Sequence, residues 1–219
     1  MHPVTSNDPP PASPAADGSD HGIGHDCGDL EASLPLFPLA TVLVPGAPLS
    51  LRVFEARYLD LVRECGRCGS GFGVCLILDG QEVGAAAIPA LVGTEARIED
   101  FGTGADGLLA LRVRGHRRFR LRSSHVRENG LVVGEVSWCA PDPDDELRPE
   151  HAVLGLVVRK LLDEFGGEHA QAPTRLLDDA AWIGWRLSEL LPLSGQQRLQ
   201  LLDLDDPHAR LGLLTRFMS

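Results

Sequence analysis

The stretch that decides the fold reads LPLFPLATVLVPGAPLSLRVFEARY and covers residues 34–58. Apolar residues form two short runs on either side of the pair Pro45-Gly46, a combination that is typical of a tight turn. The second run ends near Phe54, where the spacing of the apolar residues changes to that of a helix. This stretch therefore predicts a strand, a turn, a second strand and the start of a helix.

The region that follows, as far as residue 140, has the pattern of a β domain. Runs rich in valine, leucine and isoleucine predict strands over residues 72–78, 93–101, 108–113, 117–123 and 131–138. The pairs Asp79-Gly80, Asp106-Gly107 and Asn129-Gly130 lie between such runs, and this is a strong hairpin signal. Together with one helix from Phe54 to about Cys65, these strands favour a small, partly closed β-barrel.

Two regions of different composition flank this β domain. Residues 1–33 are rich in proline and acidic residues and lack apolar periodicity, so we predict a disordered acidic tail. After an acidic linker at 141–145, residues 147–219 change to helical spacing. Gly166-Gly167 predicts a helix end, Ser194 with Gln197 a capping box, and Asp206-Pro207 a helix start. The predicted fold class is α+β, with a β domain over 34–140 and a helical subdomain over 147–219.

Composition excludes several classes of protein. The formal net charge of −11 disfavours general nucleic-acid binding, because contact with phosphates rewards a basic surface. No run of about 18 uninterrupted apolar residues is present, so we predict no transmembrane helix. The N-terminus lacks the basic and apolar segments of a secretory signal, and the five cysteines then fit a reducing compartment. We predict a cytoplasmic protein.

The opening stretch, together with FGVCLI at 72–77, GTEARIEDF at 93–101 and GHRRF at 115–119, resembles the N-terminal domain of the Lon proteases. The closing helical region is also similar, in LLPL at 190–193 and QLL at 200–202. The resemblance covers about residues 34–218. It implies a PUA-like barrel followed by helices, and a role in selecting unfolded or tagged polypeptides. A full-length Lon protease, or its clients, would then be the partners.

The chain lacks the lysine chemistry on which Lon enzymes depend. A Walker A loop needs a lysine to hold phosphates, and a Ser-Lys peptidase dyad needs a desolvated lysine beside its serine. Lys160 is the only lysine in the sequence, and it lies on a predicted amphipathic helix. One lysine cannot fill both roles. We therefore predict a non-enzymatic protein without a cofactor, which binds unfolded or extended polypeptides in an adaptor or holdase-like role.

Four residues of the opening stretch are candidates for contact with a polypeptide: Phe37, Pro45, Phe54 and Tyr58. An apolar surface beside an exposed sheet edge can accept an extended peptide as an added strand. In the alternative interpretation, these residues only fix the turn and fill the barrel. Glu55 and Arg57 belong to the same stretch, and we predict an ion pair between them that holds the helix.

An arginine-rich face is the second candidate site. Alternation along the predicted strands places Arg112, Arg114, Arg118, Arg120 and Arg122 on one side of the sheet. This face could bind RNA or an acidic partner, which is our alternative function. In the structural interpretation, the arginines instead pair with acidic residues of the neighbouring strands or of the tail; the strand candidates are Glu95, Glu99, Asp100, Glu128 and Glu135.

The cysteines and histidines give a weak metal signal. Cys65 and Cys68 form a CxxC pair, and Cys75 and Cys139 could complete a set of four zinc ligands. The pair ends a predicted helix, where the helix dipole opposes thiolate formation and disfavours redox chemistry. In the tail, His21, His25 and Cys27 lack a fourth ligand. We predict no metal site, and the set of four cysteines stays open as the alternative.

Overall fold

The computed structural model describes residues 31–84 and 86–219, and over these it is an α+β fold with a six-stranded sheet. The strands are β1 Glu31–Leu39, β2 Pro48–Val53, β3 Phe72–Asp79, β4 Ile88–Thr103, β5 Leu109–Val126 and β6 Val132–Trp138. The α-helices are α1 Ala56–Cys68, α2 Ala152–Phe165, α3 Ala180–Leu190, α4 Gly195–Asp203 and α5 Pro207–Met218. Short 3-10 helices cover Pro149–His151, Glu168–Gln171 and Thr174–Asp178.

The sheet closes only in part. Its strand order is β2-β5-β4-β3-β1-β6, and a further pairing joins β6, at one end of this order, to β5, the neighbour of β2. The β1 and β3 strands run parallel, and every other pairing in the sheet is antiparallel. Although β1 and β2 follow each other in sequence, they lie far apart in the order. The turn at Pro45-Gly46 is therefore a crossover, and β2 is left as an edge strand.

The β5 strand differs from the prediction, which divided it into two strands at Gly115. In the structure β5 is one strand of 18 residues that continues through this glycine, opposite Ala96 of β4. A Cβ atom at position 115 would lie only 2.3 Å from the carbonyl oxygen of Val44. The glycine therefore marks a close approach of another backbone segment rather than a strand end.

The start of the sheet also corrects the predicted boundary of the tail. Residues 31–33, which composition assigned to the tail, belong to β1 and lie opposite residues 135–137 of β6. This pairing supplies the backbone with hydrogen bonds that the composition of the segment does not reveal. Residues 1–30, including His21, His25 and Cys27, lie outside the described residues, and the predicted disordered tail stays a prediction.

The predicted turns between strands are present. Gly80, Gly107 and Gly130 have φ angles of 99°, 78° and 82°, which a glycine adopts without steric cost. The first of these turns is longer than a tight hairpin, since residues 80–87 separate β3 from β4. The glycines at these positions thus determine where the neighbouring strands end.

The helical subdomain packs directly on the barrel. Its apolar core includes Val158, Leu187 and Leu211, whereas Trp185 of α3 belongs to the core of the barrel. The capping box of Ser194 and Gln197 starts α4 as predicted. None of the helices in the described residues has both the length and the apolar character that crossing a bilayer requires.

Candidate functional site

An open pocket of about 330 Å³ lies where the end of β1, the edge strand β2 and the start of α1 meet. The rings of Phe37 and Tyr58 form its floor, stacked with their centroids 3.9 Å apart and their planes at 9°. Both side chains are nearly buried, whereas Phe54 also lines the pocket and remains 53% exposed. Three of the four predicted peptide-contact residues therefore share one pocket.

The fourth candidate, Pro45, lies outside this pocket. Its carbonyl oxygen accepts a hydrogen bond of 2.6 Å from Nη2 of Arg186 in α3. The next carbonyl, that of Gly46, accepts one of 2.9 Å from Nη1 of Arg114 in β5. The Pro-Gly turn is thus an attachment point between the barrel and the helical subdomain.

The polar groups around the pocket hold its floor in place. Glu55 and Arg57 form the predicted ion pair, with Oε2 of Glu55 3.0 Å from Nη2 of Arg57. Arg57 also donates to the carbonyl oxygen of Gly130 at 3.2 Å, and its guanidinium lies 4.7 Å from the centre of the Tyr58 ring. Burial raises the pKa of Tyr58, so its hydroxyl stays neutral at physiological pH.

Two lining residues, Glu82 and Val83, were missed by the sequence analysis. They belong to the segment between β3 and β4, where no motif indicates a site. Glu82 accepts a hydrogen bond of 2.5 Å from the backbone N–H of Ala40, just beyond the end of β1. Val83 is 53% exposed and adds apolar surface to the pocket.

The pocket also borders an open strand edge. In the described residues β2 pairs with β5 alone, and Leu49, Ser50 and Leu51 of β2 line the pocket. An apolar cavity therefore lies next to backbone donors and acceptors that no other strand of the sheet uses. This arrangement can hold an apolar side chain and can pair with an extended main chain. Its chemistry is that of binding.

The arginine-rich face is largely engaged by ion pairs within the chain. Arg118 is only 4% exposed, pairs with Asp205 at 2.9 Å and donates to the carbonyl oxygens of Leu202 and Leu204. Arg120 pairs with Asp203. These acceptors lie at the end of α4 and in the segment before α5. This part of the face is therefore covered by the helical subdomain.

The remaining three arginines of the face also have partners. Arg112 and Arg114 both contact Glu99 of β4, one of the predicted partners, and Glu168 of the helical subdomain, which was not predicted. Arg122 donates to Oγ of Ser137 at 3.0 Å. The pairing with acidic residues that we expected is therefore present, but many of the acidic partners come from the C-terminal third of the chain.

The cysteines among the described residues are free thiols. Cys65 is buried and its thiol donates to the carbonyl oxygen of Gly71 at 3.5 Å, whereas Cys68 is exposed. Burial raises the pKa of the Cys75 thiol to about 12. Within residues 31–84 and 86–219, no three His, Cys, Asp or Glu side chains are grouped as metal ligands would be.

A mixed barrel that carries a helical subdomain and an open apolar pocket defines a binding module. Residues 33–219 match the family model of the substrate-binding domain of the ATP-dependent protease La (Lon), and the chain belongs to this family. The resemblance predicted from the sequence is confirmed. The matched model describes the domain that binds substrates, not the ATPase or the peptidase.

Two solved structures illustrate this kinship. A Lon N-terminal domain protein from Xanthomonas campestris is 62% identical and has a TM-score of 0.75; the match covers 86% of this chain and 99% of that one. The N-terminal domain of a Mycobacterium avium complex Lon protease is 21% identical and has a TM-score of 0.62, with 85% and 97% covered. The second likeness, at its lower identity, shows the shared fold.

Proposed function

We propose that this chain binds unfolded or extended polypeptides at the pocket of Phe37, Phe54 and Tyr58 and serves them as an adaptor or holdase. The observation that carries the proposal is an aromatic floor that lies beside the open edge of β2. Membership of a substrate-binding family supports the same role. The protein would act in the cytoplasm, on clients of a full-length Lon protease or together with that protease.

An extended polypeptide suits both features of this site. Its main chain can add a strand to β2, and an apolar side chain can then enter the pocket and pack on Tyr58. Phe54, at the mouth, would cover that side chain. Backbone pairing does not depend on sequence, and a shallow apolar surface discriminates poorly, so binding should be weak and tolerant of many sequences.

The first test is the substitution Phe54→Ser. Because this ring is half exposed, its loss should leave the fold intact but weaken binding by about tenfold or more, as expected for an aromatic anchor. Affinity would be measured by fluorescence anisotropy with a labelled, permanently unfolded model protein such as reduced and carboxymethylated α-lactalbumin. Circular dichroism would confirm that the variant is folded.

The matched control is Val126→Ser, which removes an apolar side chain of similar exposure, 54%, at the end of β5 and away from the pocket. This variant should bind the unfolded protein as the natural chain does. Equal affinity of the Phe54 and Val126 variants would overturn the assignment of the site, and no binding by the natural chain would overturn the proposed function.

The alternative function, binding of RNA or an acidic partner at the arginine-rich face, has less support. Its arginines already contact acidic side chains, backbone carbonyls or Ser137, and Arg118 is buried. A pull-down from lysate with and without RNase separates the two functions. Capture of unfolded proteins that resists RNase would support polypeptide binding, whereas capture that disappears with RNase would favour the arginine-rich face.

A further inference from the structure

A second groove, with a volume of about 630 Å³, lies at the C-terminal end of α1. It shares no lining residue with the pocket of Phe37, Phe54 and Tyr58, and the proposed function does not use it. Its apolar lining comes from Val62 of α1, Ile98 and Phe101 of β4, and Leu109 of β5. Phe101 is 72% exposed, so its ring adds accessible apolar surface at the border of the groove.

The groove runs beside an open stretch of the β4 edge. β4 pairs with β3 only as far as Ala96, which lies opposite Phe72, the first residue of β3. From Arg97 to Thr103, β4 continues with β5 as its only strand partner in the described part of the chain. In this stretch the N–H of Phe101 donates to the carboxylate of Asp100, its own neighbour, at 2.9 Å. An open edge of this kind can accept one more extended chain.

The charges around the groove indicate which chain would fit. Arg97 lines the groove and shares the single carboxylate of buried Glu95 with Arg117, each Nε lying 2.9 Å from one of its oxygens. Two guanidinium groups thus face one carboxylate. Arg63, which is 69% exposed, adds a further positive charge to the lining, although Asp60 pairs with it on the surface.

One acidic side chain, Glu99, also lines the groove, but its charge is already compensated. Arg112 and Arg114 both pair with it, and the hydrogen bond from Arg114 holds the pKa of Glu99 below its usual range. Its carboxylate oxygens point to those arginines. Two guanidinium groups share one carboxylate at Arg97, so the Arg97 side of the groove offers the unmatched positive charge.

We propose that the β4 edge from Arg97 to Thr103 binds an extended polypeptide segment in which acidic side chains alternate with apolar ones. The main chain of the segment pairs with β4. Its apolar side chains pack on Phe101 and enter the groove, and an acidic side chain contacts Arg97. This surface lies at the opposite end of α1 from the first pocket, and the inference stands independently of the proposed function.

The test uses the full chain and a short fluorescein-labelled peptide that alternates glutamate and valine. We expect saturable binding in fluorescence anisotropy, weakened about tenfold by Phe101→Ser because an exposed aromatic anchor is lost. The control is Leu91→Ser, which removes an apolar side chain of similar exposure, 67%, from the other half of the same strand. It should leave the affinity unchanged. Both positions are exposed, so both variants should fold.

Two altered peptides test the backbone and charge parts of the inference. A peptide N-methylated at alternate residues keeps its side chains but loses the donors that pair with β4, and it should not bind. A peptide with lysine in place of glutamate should bind more weakly to the natural chain and more tightly to an Arg97→Glu variant. Equal binding of either altered peptide and the parent peptide to the natural chain would overturn the inference.

The experiments distinguish failure of the proposed function at the first pocket from failure of the inference about the β4 edge. Phe54→Ser should leave the affinity for the glutamate–valine peptide unchanged, since Phe54 lines only the first pocket. If Phe54→Ser abolishes binding of this peptide and Phe101→Ser does not, the peptide occupies the first pocket and the inference about β4 is wrong. Absence of any binding of the peptide to the natural chain would also overturn it, without bearing on unfolded proteins at the first pocket.

Discussion

At the scale of single residues, Asp142 shows how one side chain can join two parts of the molecule. Its carboxylate accepts hydrogen bonds from Nη2 of Arg210 at 2.8 Å and from Nε1 of Trp185 at 2.7 Å. Arg118 of β5 lies 3.8 Å away. Burial lowers the pKa of Arg210 to about 10, so this buried guanidinium is still charged at neutral pH and requires an anion. The segment that composition describes as an acidic linker is therefore a fixed contact.

The substitution Asp142→Asn should consequently destabilise the protein. It retains an acceptor for Trp185 but leaves the charge of Arg210 without its anion, and we expect a loss of about 2–4 kcal/mol in the free energy of unfolding. Urea denaturation followed by tryptophan fluorescence measures this loss. The control Asp144→Asn lies at an exposed position of the same segment and should change the stability by less than about 0.5 kcal/mol. Similar losses in both variants would contradict the role given to Asp142.

At the scale of elements, β5 organises the sheet, because β2, β4 and β6 all pair with it. β5 can pair with all three strands because it continues without a break through Gly115. The N–H of Gly115 donates to the carbonyl of Ala47, and the carbonyl of Gly115 accepts from the N–H of Gly46. The crossover segment is thereby held against the middle of β5, and this contact fixes the turn that Arg186 also binds.

A methyl group at position 115 should therefore be poorly tolerated. Gly115→Ala would place its Cβ 2.3 Å from the carbonyl oxygen of Val44, so the crossover must move. We expect a loss of about 3 kcal/mol, at the upper end for overpacking, measured as the shift of the urea midpoint. Gly102→Ala is the control, because a Cβ at that position of β4 meets no atom within 4 Å. A midpoint for Gly115→Ala equal to that of Gly102→Ala would show that the crossover can move freely.

Local sequence patterns predicted most strands and helices correctly. The structure differs from the prediction where an element depends on a contact with a residue that is distant in sequence. The turns at Gly107 and Gly130 depend on their own φ angles, so the sequence alone predicts them. Gly115, in contrast, is required because the backbone of Val44 approaches it closely. This contact comes from a segment about 70 residues earlier, so the local sequence pattern does not reveal it. A prediction from local patterns therefore divided one strand into two.

In the candidate site, too, the sequence predicted the residues that are close together in the chain and missed those that come from distant segments. Phe37, Phe54 and Tyr58 lie within one short stretch, so their motif indicated them together, and the structure brings them into one pocket. Glu82 and Val83 enter that pocket from the segment after β3, which carries no motif. Asp205 and Asp203, which pair with Arg118 and Arg120, lie more than 80 residues away in sequence, and spacing cannot choose among distant carboxylates.

At the scale of the whole molecule, the helical subdomain contacts the crossover at Pro45-Gly46 through a cluster of charged and polar groups. Arg186 donates to the carbonyl of Pro45 and contacts both His169 and Glu189. Burial, reinforced by the positive charges of Arg186 and Arg114, lowers the pKa of His169 to about 4. The interface therefore holds this histidine in its neutral form.

This arrangement makes the attachment of the two parts sensitive to pH. In the unfolded chain His169 titrates near its ordinary pKa of 6.5, whereas in the folded protein it stays neutral until about pH 4. Between these values the unfolded state binds the additional proton, so the stability that His169 contributes is lost as the pH falls from 7 towards 4. Burial raises the pKa of Glu189, and its protonation acts in the opposite direction over part of the same range. The total pH dependence therefore contains both contributions, which partly offset each other.

The variant His169→Gln isolates the contribution of the histidine. Between pH 7 and pH 5 the natural chain should lose about 1–2 kcal/mol more of its free energy of unfolding than the variant loses, because glutamine does not titrate. Urea denaturation at the two pH values gives both numbers. His125→Gln, at an exposed position of β5, is the matched control and should keep the pH dependence of the natural chain. If His169→Gln shows the same pH dependence of the free energy of unfolding as the natural chain, His169 does not cause the loss of stability in acid.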